Sequence, residues 1–192
     1  MINRTIILND EILNSQRAFR VLLNSMCHPG TLYDLSFINH QNYLKLILKT
    51  LLDNEVSHCV IGDNKEIIEK EIYEMTGSKS RQIDEADFIV IFGNSSNGEI
   101  KKAKIGTPEY PDSSATLIYY ISSNHNETTR VKLKGPGIEG EKMFLVFGIN
   151  KNEFELLKLI NSNYPLGLDS IFLYDFGKVF CIPRSTRIVE VL

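Results

Sequence analysis

The chain has 192 residues, 43% of them hydrophobic and 23% charged, with a formal net charge of −3. That balance excludes a general nucleic-acid binder, which needs a basic footprint, and no apolar run approaches the length of a membrane span. The N-terminus, Met1–Leu8, holds too short an apolar run for a signal peptide and meets Asp10 and Glu11 at once, while three cysteines without metal spacing fit reduced thiols. The expectation is a cytoplasmic α/β or α+β protein, a single domain over residues 1–192, long enough to bury about 70% of its unfolded surface.

In chain order, residues 9 to 28 read as a helix. Asn9 or Asp10 can cap it, and Ile12, Leu13, Phe19, Leu22, Leu23 and Met26 recur at helical spacing. Pro29-Gly30 stops it, and a short strand is expected at Thr31–Phe37. Tyr43 to Asp53 predicts a second helix, Val56–Ile61 a strand ended by Gly62-Asp63-Asn64, and Lys65 to Thr76 a third helix with Ile67, Ile68, Ile72 and Met75 inward. Gly77–Ser80 reads as loop and Ala86–Phe92 as a buried strand. Such alternation places helices over a largely buried sheet.

The second half reads as strand-rich. Gly106–Ser114 is a proline-containing loop, and Ala115–Ser122 and Thr128–Lys134 are strands joined at Ser123-Asn124-His125-Asn126. A turn at Gly135–Gly140 leads to a strand at Met143–Gly148, and Asn152–Asn163 predicts a helix. Two nearly continuous apolar runs follow, Ile171–Tyr174 and Val179–Ile182, separated by Asp175-Phe176-Gly177-Lys178. This is the signal of an interior hairpin, its ends carrying Asp169, Arg184 and Arg187.

Gly135-Pro136-Gly137-Ile138-Glu139-Gly140 matches G-x-G-x-x-G, but the dinucleotide mechanism requires a helix after it and residues 142–148 read as a strand. A turn needing glycine conformations is the simpler account. Cys27-His28 and His58-Cys59 lack metal-ligand spacing, so no metal is expected. Arg184 and Arg187 could grip phosphate or carboxylate, or Arg184 could pair structurally with Asp169, the reading we favour. Candidate anion or partner contacts are thus Gly135, Gly137, Asp169, Arg184 and Arg187. No residue is assigned a catalytic role, and no lysine sits in a cofactor motif.

Eight short segments in order carry a resemblance. They are Ser15–Arg20 (S-Q-R-A-F-R), Ser25–Gly30 (S-M-C-H-P-G), Leu51–Val56 (L-L-D-N-E-V), Ala86–Phe88 (A-D-F), Gly106–Leu117, Leu133–Ile138 (L-K-G-P-G-I), Tyr164–Asp169 (Y-P-L-G-L-D) and Ile182–Thr186 (I-P-R-S-T). Together they resemble the PhnH family, subunits of the bacterial carbon–phosphorus (C–P) lyase system. Tyr164, Ser185 and the Cys27-His28 pair are the departures. The resemblance implies a three-layer α/β/α sandwich with a mixed central sheet. It would be similar to the large domain of pyridoxal-phosphate aminotransferases without that cofactor or its Schiff-base lysine. It also implies a homodimer within a core containing G-, I- and J-type subunits. That core uses ATP to form alkylphosphonate ribose 5-triphosphate ahead of C–P cleavage, when phosphate is scarce. An accessory subunit is the expected role. The alternative is a transferase contributing its own nucleotide or phosphonate site.

Overall fold

The computed structural model describes residues 2–38, 42–124 and 127–192, with side chains from Asp10 onward. A long helix, α1 (Ile2–Cys27), leads to a two-residue strand, β1 (Tyr33–Asp34). Helix α2 (Tyr43–Leu51) starts where Asn42 Oδ1 accepts from the Lys45 amide at 3.0 Å. Strand β2 (Ser57–Ile61) and helix α3 (Lys65–Thr76) follow. Gly77 ends α3 in the left-handed conformation (φ 79°), its amide bonded to the Tyr73 carbonyl. Then come β3 (Lys79–Ser80), β4 (Phe88–Phe92), β5 (Thr116–Ile121), β6 (Thr128–Lys134) and β7 (Lys142–Phe147). Helix α4 (Lys151–Ile160) is capped by Asn150, and β8 (Asp169–Tyr174), β9 (Lys178–Ile182) and β10 (Arg187–Val191) complete the chain.

The strands form two sheets. Seven lie in the order β1-β9-β8-β5-β4-β2-β3, with β3, β2, β4, β5 and β8 parallel and β9 antiparallel to both its neighbours. Three more form an antiparallel sheet, β10-β6-β7. The result is mixed α/β. Side chains alternate across the larger sheet, so the continuous apolar runs serve two cores. Val60, Val90, Ile118, Leu173 and Val179 pack against α1, α2 and α3. Ile89, Leu117, Tyr119, Phe172 and Phe180 pack on the other face against α4 and the smaller sheet. Phe172 stacks on Phe180 at 4.5 Å and on Tyr119 at 4.7 Å, while Phe144 of β7 meets Phe180 at 4.9 Å. One aromatic column therefore ties both sheets together.

Several sequence expectations need correction. The first helix begins at Ile2, so Asn9 and Asp10 lie inside it, and its buried stripe is Ala18, Val21, Leu22 and Ser25. Ile12, Leu13, Phe19 and Leu23 are exposed: several apolar sets fit one helical period, and only packing selects which faces inward. On α3, Ile67 is likewise exposed while Ile72 is buried. The strand expected at Thr31–Phe37 is reduced to the two residues that meet β9. Gly77–Ser80, read as loop, contains β3, and β10 was not anticipated. The join read at Ser123–Asn126 lies partly outside the described residues.

Candidate functional site

Asp169 opens β8 and Arg184 follows Pro183 at the exit of β9, so the hairpin brings them together. The Arg184 backbone amide donates to Asp169 Oδ1 at 2.8 Å; its Nε and Nη2 donate to Oδ2 at 3.0 and 2.5 Å. The remaining guanidinium nitrogen, Nη1, donates to the Pro111 carbonyl. The side chains are only 16% and 23% exposed, which places this pair well away from the weak surface bridges. Behind it, the Asn161 side-chain amide brackets Leu168, accepting from its N–H at 2.8 Å and donating to its carbonyl at 3.0 Å. A Cβ on Gly167 would lie 2.4 Å from Asn161 Oδ1, so the turn requires glycine there. Every nitrogen of the guanidinium is engaged, and the chemistry available is to hold the Pro111 loop and the β9 exit against β8. The pair also sits at the amino ends of the parallel strands, whereas open α/β sheets bind ligands beyond their carboxyl ends.

The other candidate residues lie around the same segment without converging on one point. A Cβ on Gly137 (φ 78°) would fall 1.9 Å from the Cys27 carbonyl, and one on Gly135 would fall 2.9 Å from the Ser185 carbonyl. The glycine turn is therefore pressed onto the end of α1 and onto the segment joining β9 to β10, with backbone carbonyl oxygens where side chains would otherwise stand. It runs from β6 into β7, so no helix follows it. Arg187 is exposed at the start of β10, beside Lys134 in the ladder, and lines a cleft of about 300 Å³ with Lys158 and Thr186.

Some buried polar groups carried no sequence signal. Glu153, in the first turn of α4, is fully buried and accepts from Tyr119 Oη at 2.8 Å and from Ser95 and Ser96 hydroxyls at 3.0 Å. Burial, and then the neighbouring Glu153 charge, push the Tyr119 hydroxyl well above its ordinary pKa, so it stays a neutral donor. His58 is buried on β2 with Nδ1 3.0 Å from Ser78 Oγ and Nε2 unpartnered among the described residues. Burial holds its pKa below the usual 6.5. The Cys59 and Cys181 thiols are pushed up, the latter to about 12, chiefly by burial, which favours the protonated thiol over the thiolate. Among the described residues no group of three or more His, Cys, Asp or Glu could hold a metal ion, and no helix is long and apolar enough to cross a membrane. Open grooves lie at the carboxyl ends of the parallel strands, among them one of about 730 Å³ beside Ile61 and Gly62 and two next to the later strands. Of the latter two, one, about 610 Å³, reaches from Phe92 and Tyr120 to α2 and α3; the other, about 560 Å³, includes Ser122, Ser123, Tyr174 and Phe176.

Fold and site together define a mixed α/β protein whose best-formed charge cluster clamps the amino end of an interior parallel strand. The family model described as bacterial phosphonate metabolism protein (PhnH) matches residues 7–189. The chain belongs to the PhnH family. It is also 30% identical over 175 residues to a putative C-P lyase subunit protein, HtxG, of Stutzerimonas stutzeri, covering 90% of this chain and 85% of that relative.

Proposed function

We propose that this chain is an accessory subunit of a cytoplasmic C–P lyase core, acting with G-, I- and J-type subunits and forming a homodimer. It would support ATP-dependent formation of alkylphosphonate ribose 5-triphosphate when phosphate is scarce. Family membership and the likeness to HtxG support the assembly. The observation that carries the accessory role is the closure of Arg184: each of its three guanidinium nitrogens already donates to Asp169 or Pro111, and its charge is matched by the Asp169 carboxylate rather than held ready for a phosphonate or nucleotide. The proposed relation to the large domain of pyridoxal-phosphate aminotransferases, as a three-layer α/β/α sandwich without the cofactor, fits a scaffold that has kept a fold rather than a chemistry.

Affinity purification of the tagged chain from phosphate-starved cells tests the assembly: the other three core subunits should co-elute in stoichiometric amounts. Deleting the gene should abolish growth on methylphosphonate while sparing growth on phosphate. Normal growth on both sinks the assignment. A second reading, a transferase with its own anion site, rests on Arg187 and Lys158 lining one cleft. Calorimetry of the isolated chain with ATP and with methylphosphonate decides between them, because the accessory reading expects no tight binding to either.

A further inference from the structure

We infer that the free edge of β7 takes up an extended, acidic segment of a partner polypeptide by strand addition. β7 is the margin of the three-stranded sheet, paired on one side only. Which backbone groups face outward follows from two observations. Arg130 exchanges both backbone bonds with Leu192, on the β10 side, and Phe147 exchanges both of its own with the Tyr174 hydroxyl (3.2 and 2.9 Å). Bonding direction alternates along a strand, so Met143 and Leu145 also face away from β6 and present N–H and C=O groups that are unpaired among the described residues. Tyr174 closes this open window at its Phe147 end.

The window borders the groove of about 560 Å³ walled by Leu32, Tyr174 and Phe176. Met143, Leu145 and Phe147 are 49%, 40% and 53% exposed on the sheet face they share with Arg130 and Lys132, and Leu32 and Phe176 are 48% and 52% exposed beside the groove, so apolar surface of the kind that marks an interaction site borders the window. The adjoining row on β6 and β10 is cationic. Arg130 stands opposite Leu145, Lys132 opposite Met143 and Arg187 opposite Lys134. Lys132 is paired with Glu190 and Glu141, but Arg130, Lys134 and Arg187 have no carboxylate partner among the described residues.

Charge chooses the occupant. A two-fold contact with a second copy would bring two such cationic rows together. An extended segment with apolar side chains toward the groove and carboxylates on its outer face satisfies the edge amides, the groove and the arginines at once. The inference rests on this surface alone, so it stands or falls apart from the assignment to a lyase core.

The test uses the full chain and a fluorescent peptide of about eight residues alternating Val and Asp, long enough for one strand. Saturable binding should weaken as salt rises, and the Met143 and Leu145 amides should exchange at least about tenfold more slowly when the peptide is bound. Replacing Asp by Lys in the peptide, or N-methylating its alternate amides, should weaken binding at least about tenfold. Leu145→Pro should abolish it. The doubly substituted Arg130→Glu, Lys134→Glu chain, altered only at exposed positions, should bind at least about tenfold more weakly even if the proline variant fails to fold. Absence of saturable binding, or equal binding of the Lys peptide, overturns the proposal. So does sedimentation showing a dimer in which those two amides are protected without peptide, which gives the edge to a second copy.

Discussion

Arg184 repays attention because its three nitrogen donors and its backbone amide all end on Asp169 or Pro111. Removing the guanidinium strands a mostly buried carboxylate, so Arg184→Met should lower unfolding free energy in urea by about 3 kcal/mol. Arg184→Lys should recover only part of it, lacking the fork. A loss under about 0.5 kcal/mol would show the pair to be solvated. Gly137 is held by backbone rather than by charge. With φ at 78° and the Cys27 carbonyl where a Cβ would sit, Gly137→Ala should cost about 4 kcal/mol or prevent folding. Unchanged thermal stability would mean the turn can move off α1. His58 gives a pH signature. Its folded pKa lies below 6.5, so as pH falls under 6.5 the unfolded chain takes up the proton first and stability declines; above 6.5 both states are neutral and the term vanishes. His58→Gln should flatten the dependence by at most about 1.4 kcal/mol per pH unit below 6.5. Parallel pH profiles for parent and variant would exclude this source.

At the scale of elements, edges and ends are where side chains do the work of missing strands. The Tyr174 hydroxyl substitutes for a neighbour at Phe147, and burial pushes its pKa to about 12, which keeps it able both to donate and to accept. Tyr174→Phe should cost about 1 kcal/mol, measured by urea unfolding, and should speed amide exchange at Phe147. Exchange that stays slow would place the protection elsewhere. β1 is fastened in a similar way: Asp34 meets Lys178 at 2.5 Å and accepts from the Ser36 amide at 2.7 Å. The Lys178 bond, helped by Ser36, holds the Asp34 pKa down to about 2. Its contribution is present above the unfolded value near 3.8 and is lost as pH falls through about 2. Solvent exposure keeps that contribution small. The β8–β9 hairpin was readable because continuous apolar runs broken by Asp-Phe-Gly admit few alternatives. β3, by contrast, consists of Lys79-Ser80, which pair with β2 only because α3 returns them to its edge.

For the molecule as a whole, the two sheets depend on the aromatic column. Phe172 touches Tyr119, Phe154 and Phe180, and Phe180 touches Phe144 of the smaller sheet. Phe172→Ala should therefore cost about 4 kcal/mol and loosen the smaller sheet together with the larger one. Fluorescence and far-ultraviolet unfolding curves that separate would show the sheets to be independent units. The same column divides the chain's polar resources. The amino ends of the parallel strands carry Asp87, bound to Ser57 and Lys104, and Asp169, bound to Arg184, whereas at the carboxyl ends the groove beside Tyr174 has no charged residue among its walls and the one beneath α2 and α3 has Lys45, Lys49, Glu71 and Glu74.

By itself the sequence determined the elements whose pattern is local and nearly unambiguous. These are α2, α3 and α4, the buried parallel strands, the interior hairpin, the glycine turns, and the ordered motifs that mark the PhnH family. The favoured pairing of Asp169 with Arg184 was also legible, since both flank the same hairpin. Only the tertiary structure decided which stripe of α1 is buried, that β6, β7 and β10 form a sheet of their own, and that Gly135 and Gly137 press against carbonyls. It also decided that Glu153 lies among hydroxyls and that β7 has a free edge. Each of these depends on contacts between segments far apart in the chain. Periodicity and turn chemistry describe how a segment can fold, whereas burial and pairing depend on what the rest of the chain brings to its side.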